Sequence, residues 1–271
     1  MSALCRWLQV SRSGFYAWEK REASARSHTD QQLLKTITQI FHRSFGRYGS
    51  PRIHQALQKQ GIAVGKKRVE RLMREAKLKA RVVRVTRRQP GLKRFKSEGE
   101  NLMLSLSAPT GIDEVWVADV TYLKLKGRWQ YLATVMDLYS RRIVGWSLSE
   151  RRTTELTCTA MKYALRKRDY PEDIVLHTDR GIEYTGLVFQ ALLQDYGIKH
   201  SVNRPGYCTD NAHMESFFHS LKAELIRGTV YRSQEELRQS LSVYINQFYN
   251  TVRLHSGLDY LSPIDYEQRA A

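Results

Sequence analysis

The period of the apolar residues changes near Gly111, and this change limits the possible folds more than any other feature of the chain. Downstream, residues 114–123 (EVWVADVTYL), 129–140 (WQYLATVMDLYS) and 142–149 (RIVGWSLS) are rich in Val, Trp, Tyr and Thr and separated by short turns. They predict three successive antiparallel strands. A helix is expected from Thr153 to about Lys167, then a strand over 173–178, a helix from Leu187 to Tyr196, a strand over 198–202 and a long helix beginning near Thr209 or Asp210. Upstream of Gly111 the period is helical. Residues 3–18 predict two short helices broken around Val10 and Ser11, with Ser11 capping the second. Leu33, Leu34, Ile37, Ile40 and Phe41 form an apolar stripe. Ile53, Ala56 and Leu57 form another from Pro51 onward, and Val69, Leu72, Met73 and Ala76 a third, which together predict a small helical bundle.

Three antiparallel strands followed by αβαβα is the element order of the ribonuclease-H-like fold. The expected class is therefore α/β, a mixed sheet with helices, preceded by a small all-α helix-turn-helix region. The domain organisation that follows is a helical region over 1–80, a basic linker over 81–110, and a core over 111–271 with a C-terminal helical extension. Cys5, Cys158 and Cys208 are odd in number and no C-x-x-C occurs, so neither a disulfide framework nor a zinc site is expected and a reducing, cytoplasmic setting fits. No run approaches the ~20 apolar residues of a membrane span.

The net charge of +17 is unevenly placed. Residues 1–110 hold 24 Lys and Arg against 7 Asp and Glu, whereas residues 111–271 hold 20 of each. The whole excess precedes residue 111, the footprint of a nucleic-acid-binding module joined to a neutral domain. On the third bundle helix Lys66, Lys67, Arg68, Arg71 and Arg74 are candidate phosphate contacts, with a solvated helix face as the alternative. Residues 79–96 carry eight cations and no acid around Pro90 and Gly91, a segment suited to tracking a duplex backbone.

Chemistry has to come from the acids. Asp119 interrupts the apolar strand V-W-V-A-D-V-T-Y, where an ionised carboxylate without a partner costs several kcal/mol or more, so it calls for a cation. Asp179 ends the strand I-V-L-H-T-D, at a tip where strands can converge. Glu215 lies in the last predicted helix, where Glu215, His219 and Lys222 share a face apart from the stripe of Phe218, Leu221 and Leu225. Three acids from two strands and a helix suit a pair of hard divalent ions and phosphodiester chemistry. No G-x-S-x-G or Cys–His pairing stands out for a covalent nucleophile. His177 either orients a ligand or is a satisfied core histidine. Asp137 is expected to pair with Arg141 or the turn backbone, and Asp210 and Asn211 to cap the last helix. Neither Glu183, Arg253 nor His255 receives a role from its pattern.

The segments W-V-A-D-V-T-Y, H-T-D-R-G-I-E-Y and Y-C-T-D-N-A-H-M-E-S-F-F-H-S-L-K resemble the DDE transposases of bacterial insertion sequences, which have a retroviral-integrase-like core. More narrowly, they resemble the OrfB product of the insertion-sequence-three family. Asp179 and Glu215 have 35 residues between them, that family's spacing, and its basic residue seven positions after the Glu is Lys222. YGSPRIHQAL is similar to its helix-turn-helix segment, and YNTVRLHSGLDYLSPIDY to its C-terminal signature. The resemblance implies that Asp119, Asp179 and Glu215 are catalytic and hold two Mg²⁺ or Mn²⁺ ions, and that Lys222 contacts a DNA phosphate. It also implies cleavage at the element's terminal repeats, strand transfer into target DNA, an OrfA-type partner, assembly as an oligomer on DNA, and no membrane, in a nucleoid-associated protein. A structure-selective metal-dependent nuclease and an inert DNA-binding repressor remain the alternatives.

Overall fold

Why the chain forms two bodies is visible in the computed structural model, which describes residues 2–20, 24–81, 100–204 and 211–270. Most of the basic linker, Cys208 and the Thr209–Asp210 start expected for the last helix lie outside these residues. Contacts divide the chain into Met1–Ala80 and Arg81–Ala271. Among the described residues no helix is long and apolar enough to cross a membrane.

The first unit holds α1 (Ser2–Trp7), α2 (Arg12–Glu19), α3 (Ala25–Arg43), α4 (Ser50–Lys59) and α5 (Lys66–Glu75). Ser11 caps α2 by accepting the Gly14 amide at 3.0 Å. Ile37, Ile53, Leu57 and Val69, taken from all three predicted stripes, are completely buried. The basic face of α5 is less open than its sequence suggests. Arg68 and Arg71 both turn to Asp30 of α3, each at 2.6 Å, and Arg71 also reaches Glu75 at 3.0 Å. Hydrogen bonds from Arg71 and then Arg68 hold the Asp30 carboxyl below its usual range. Two of the five expected phosphate contacts therefore stitch the bundle, while Lys66, Lys67 and Arg74 stay exposed.

The second unit is built on β1 (Val115–Leu125), β2 (Arg128–Asp137), β3 (Ile143–Ser149), β4 (Val175–Thr178) and β5 (Lys199–Val202). Their order in the sheet is β3-β2-β1-β4-β5, antiparallel through β1, β2 and β3 and parallel from β1 to β4 to β5. Between and after them run α6 (Thr154–Lys167), the one-turn α7 (Ile182–Thr185), α8 (Leu187–Asp195), α9 (Ala212–Leu221), α10 (Gln234–Ser242) and α11 (Pro263–Ala270). One face of the sheet packs Trp116, Ala118, Val135, Val144 and Leu176 with Met161, Ala164, Phe189 and Leu193. Gly145 permits this packing. A Cβ there would stand 2.2 Å from the Ala160 carbonyl oxygen and 2.8 Å from Ala164 Cβ.

The C-terminal extension locks the other elements in place. Asn250 takes both backbone groups of Ile143 on the edge strand β3, accepting its N–H at 3.0 Å and donating to its carbonyl at 2.9 Å. Beyond α9 the helix widens into a π turn, Lys222–Ile226, whose Glu224 is almost fully buried. Arg253 donates to it through Nη2 at 2.8 Å and Nε at 3.1 Å, and Tyr244 donates its hydroxyl at 2.9 Å. Arg253 also donates to Ser220 of α9 at 2.9 Å, so its role is to fix the end of that helix. His255 pairs with Leu261 in an isolated bridge and sets its ring edge-on to Tyr249. Asp137 is fully buried and accepts from the Ser140 amide and hydroxyl and from the Asp113 amide, the turn-backbone option of its expectation.

Gly145→Ala should destabilise the protein at or above the upper end of the ~1–3 kcal/mol usual for overpacking, because backbone, not a flexible side chain, blocks the methyl. Arg253→Met should cost about 3–5 kcal/mol by stranding the Glu224 charge, and adding Glu224→Leu should recover much of that loss. Urea titrations followed by circular dichroism measure both.

Candidate active site

Register creates the site. In the parallel β1–β4 pair Ala118 lies opposite Thr178, so the next residue on each strand is a carboxylate, Asp119 and Asp179. Neighbouring strands run about 4.8 Å apart, which sets the two acids side by side. Asp119 Oδ1 accepts the Val120 amide at 2.7 Å, and Asp179 Oδ1 accepts the Gly181 amide at 3.0 Å. Burial first, and the charge of Asp179 second, push the Asp119 carboxyl up to about 8. Asp179 is raised likewise, by burial and then by Glu183.

Glu183 and Arg152 complete this cluster, and the sequence assigned neither of them a part. Glu183 opens the short α7, is 2% exposed and folds back over Gly181, which has no side chain to obstruct it. Arg152, just before α6, donates to Glu183 Oε1 through Nε at 2.7 Å and again through Nη2. The same Nη2 stands 3.9 Å from Asp179 Oδ2. One guanidinium thus pairs with Glu183, stands beside Asp179 and feels the charge of Asp119. Arg152 was detectable only as a cation in the loop before α6. Nothing local ties it to an acid 31 residues further on.

The third expected acid is placed differently. Asn211 stands at the N-cap of α9, as its position suggested, but makes no side-chain cap bond; its side-chain amide donates to the Ala118 carbonyl at 3.1 Å, pinning the helix start beside Asp119. Glu215 follows one turn later and is exposed. Among the described residues no three His, Cys, Asp or Glu side chains gather as a metal cluster, so Glu215 is not brought into the pair. The face read from sequence is otherwise as expected: Phe218, Leu221 and Leu225 are buried, and Lys222 is half-buried. Lys222 Nζ sits 4.7 Å over the Tyr122 ring, its pKa lowered by burial against the opposing pull of Asp119. His177 is fully buried, and its Nδ1 shares a 2.8 Å hydrogen bond with Ser201 of β5, the core-histidine arrangement.

Residues 109–208 match the family model of an integrase core domain, residues 196–263 a second model of that description, and residues 28–86 that of an HTH-like domain. The chain is 38% identical over 275 residues to the transposase InsF for insertion sequence IS3A of Escherichia coli, spanning 99% of this chain and 94% of that protein. It is 35% identical over 266 residues to a 31 kDa protein of insertion element IS600 from Shigella sonnei, spanning 98% of each. Among solved structures, a chain of the simian T-cell lymphotropic virus intasome superposes with a TM-score of 0.51 at 14% identity, over 85% of this chain and 74% of that one. That likeness reports the fold, a ribonuclease-H-like sheet with its helices. Similarity sustained over essentially the full length, with an integrase core behind an HTH-like region, shows that the chain belongs to the transposases of IS3-type insertion sequences.

Proposed function

We propose that this polynucleotidyl transferase cuts DNA at the ends of its element and joins the freed 3′-OH to target DNA, with Asp119, Asp179 and Glu215 as its catalytic acids. The adjacency of Asp119 and Asp179, fixed by the β1–β4 register, is the observation that carries this reading. The site residues suit a hard divalent cation such as Mg²⁺ or Mn²⁺. Two oxygen donors are desolvated and repel each other. Nearby, the Thr134 hydroxyl opposite Asp119 and the Tyr184 hydroxyl are buried with no hydrogen-bond partner among the described residues. A bound pair of such ions supplies activation of the attacking oxygen and charge stabilisation on the leaving one.

The chain's own groups have separable tasks. The Gly181 amide and Arg152 orient Asp179, and Asn211 holds the α9 start close enough for Glu215 to complete the set when DNA engages. Lys222 meets a phosphate of the bound end. In the first step water attacks the phosphodiester, giving a 5′-phosphate and a free 3′-OH; in the second that hydroxyl attacks a target phosphodiester and expels a target 3′-oxygen. Both are in-line displacements in which the protein forms no covalent bond. Lys66, Lys67 and Arg74 supply phosphate contacts in the helical unit, which holds the DNA, and an OrfA-type partner and a second copy join at paired ends.

Asp119→Asn, Asp179→Asn and Glu215→Gln should each abolish cleavage and joining of labelled element ends in Mg²⁺ while leaving end binding nearly intact. Near wild-type strand transfer by any one removes that residue from the set, and nicks without joined products from the wild-type protein would make it a nuclease. The Asp119 variant has a second readout. Because the folded-state pKa of Asp119 lies above its unfolded value, its contribution to stability is present below about pH 4 and is lost as pH rises toward about 8. In EDTA at pH 8, Asp119→Asn should therefore melt above wild type, a gain that vanishes at pH 4.

The charge partition makes an independent prediction. A fragment of residues 1–110 should carry most of the duplex affinity and lose roughly 10³- to 10⁵-fold between 50 and 200 mM salt if six to ten phosphates are neutralised. Residues 111–271 should bind weakly with a shallow slope. Equal affinity and equal salt dependence of the two fragments would refute the division of labour.

A further inference from the structure

The β1–β2 hairpin carries groups that the acid pair does not use. From Val120 to Gln130 the chain holds Lys124, Lys126 and Arg128 and no acid, inside a domain that is neutral overall. All three are exposed. Trp129 beside them is 48% exposed, an expensive position for the largest apolar side chain. Its ring meets that of Tyr122 edge-on at 5.0 Å, and Lys124 Nζ lies 5.7 Å from its centre. The register pairs Lys124 with Trp129 and Tyr122 with Tyr131, so these side chains share one face of the hairpin. At the other end of the row, Lys222 covers Tyr122 and feels the charge of Asp119.

Lys124, Trp129 and Tyr122 thus form a row of a cation and aromatic rings on the hairpin face opposite that of Asp119, and Lys222, over the Tyr122 ring and within reach of the Asp119 charge, links the row to the acids. A merely solvated strand end would need the lysines but not a half-exposed tryptophan. Alternating charge and ring suits a polymer that alternates phosphates with flat bases, provided the bases are unstacked from a duplex. We infer that this row seats an unpaired DNA strand running from the Asp119–Asp179 pair, with Trp129 stacked on a base and Lys124 and Lys222 on its phosphates. The inference rests on the proposed reading of the acids as the cleavage site.

The test uses the full-length protein in EDTA, so that no turnover occurs. Two duplexes of the element's terminal sequence are compared, one blunt and one with unpaired bases beside the cleavage position, carrying 5-iodouracil in the unpaired strand. Irradiation should cross-link the peptide that contains Trp129, and the unpaired end should bind about tenfold more tightly than the blunt one. Trp129→Ala should abolish both the cross-link and the preference, Trp129→Phe should restore most of the preference, and Lys124→Gln should weaken the unpaired end more than the blunt one. Asp179→Asn should leave all of this unchanged, so a failure of the acid assignment reads out separately, in cleavage. A cross-link confined to other peptides, or a Trp129→Ala protein that still prefers the unpaired end, overturns the inference.

Discussion

Parallel pairing of β1 with β4 is the constraint on which the catalytic unit depends. Once Ala118 stands opposite Thr178, the residues that follow are two half-buried carboxylates side by side at the end of the β1–β4 pair. Two half-buried like charges this close resist ionising together, and their surroundings answer that in a definite order. Backbone amides of Val120 and Gly181 take one oxygen of each acid. Arg152 then supplies positive charge to Asp179, but a lone guanidinium would collapse onto it. Glu183 holds Arg152 through two nitrogens and leaves only the 3.9 Å approach to Asp179. Gly181 is therefore doubly determined, by the amide it donates and by the space it leaves for Glu183.

The position of α9 depends on residues far from the acids. Asn211 fixes its beginning to β1, and Arg253 with Glu224 fixes its end, where the π turn moves the chain out of ordinary helical register. Asn250, three residues before Arg253, closes the exposed side of β3. Farther along, Glu267 of α11 ties Arg142 and Arg168 together at the base of the sheet. The C-terminal extension is thus a brace that sets the direction of the Glu215 helix, which explains why its polar residues point inward.

Legibility in the sequence followed the range of the interaction. β1, β2, β3 and α6 were readable because alternation and helical period are local, and Asp119 was conspicuous because a charge in an apolar strand is itself a local anomaly. Arg152 and Glu183 were unreadable because one is an ordinary loop residue and the other sits in a one-turn helix, 31 residues apart, until the fold brings them together. Asn211 was misread for a related reason: at a helix start, an amide that caps and an amide that docks on a strand look identical in sequence, and only the neighbour distinguishes them. Arg68 and Arg71 were assigned outward because α5 is basic, yet Asp30, 38 residues before Arg68, claims both. The π turn was invisible because nothing in the residues of 222–226 distinguishes one extra residue in a turn from an ordinary helix.

The two units also differ in the physics by which they can hold a polyanion. The helical unit and the basic stretch after it carry the entire net charge, so the hold proposed for them would come from counterion release, which is strong, indifferent to sequence and lost in salt. The catalytic unit has no net charge to spend, and a uniform attraction there would compete with the cations that the acids are proposed to bind. Its hairpin instead sets a few cations beside the exposed Trp129 and the half-buried Tyr122, and stacking on a ring neutralises no phosphate and so adds nothing to the salt slope. Raising the salt should thus weaken capture long before it disturbs the seating of a strand already at the acids. On the proposed division of labour, that separation would let the chain search DNA loosely with one part and align a single phosphodiester with the other.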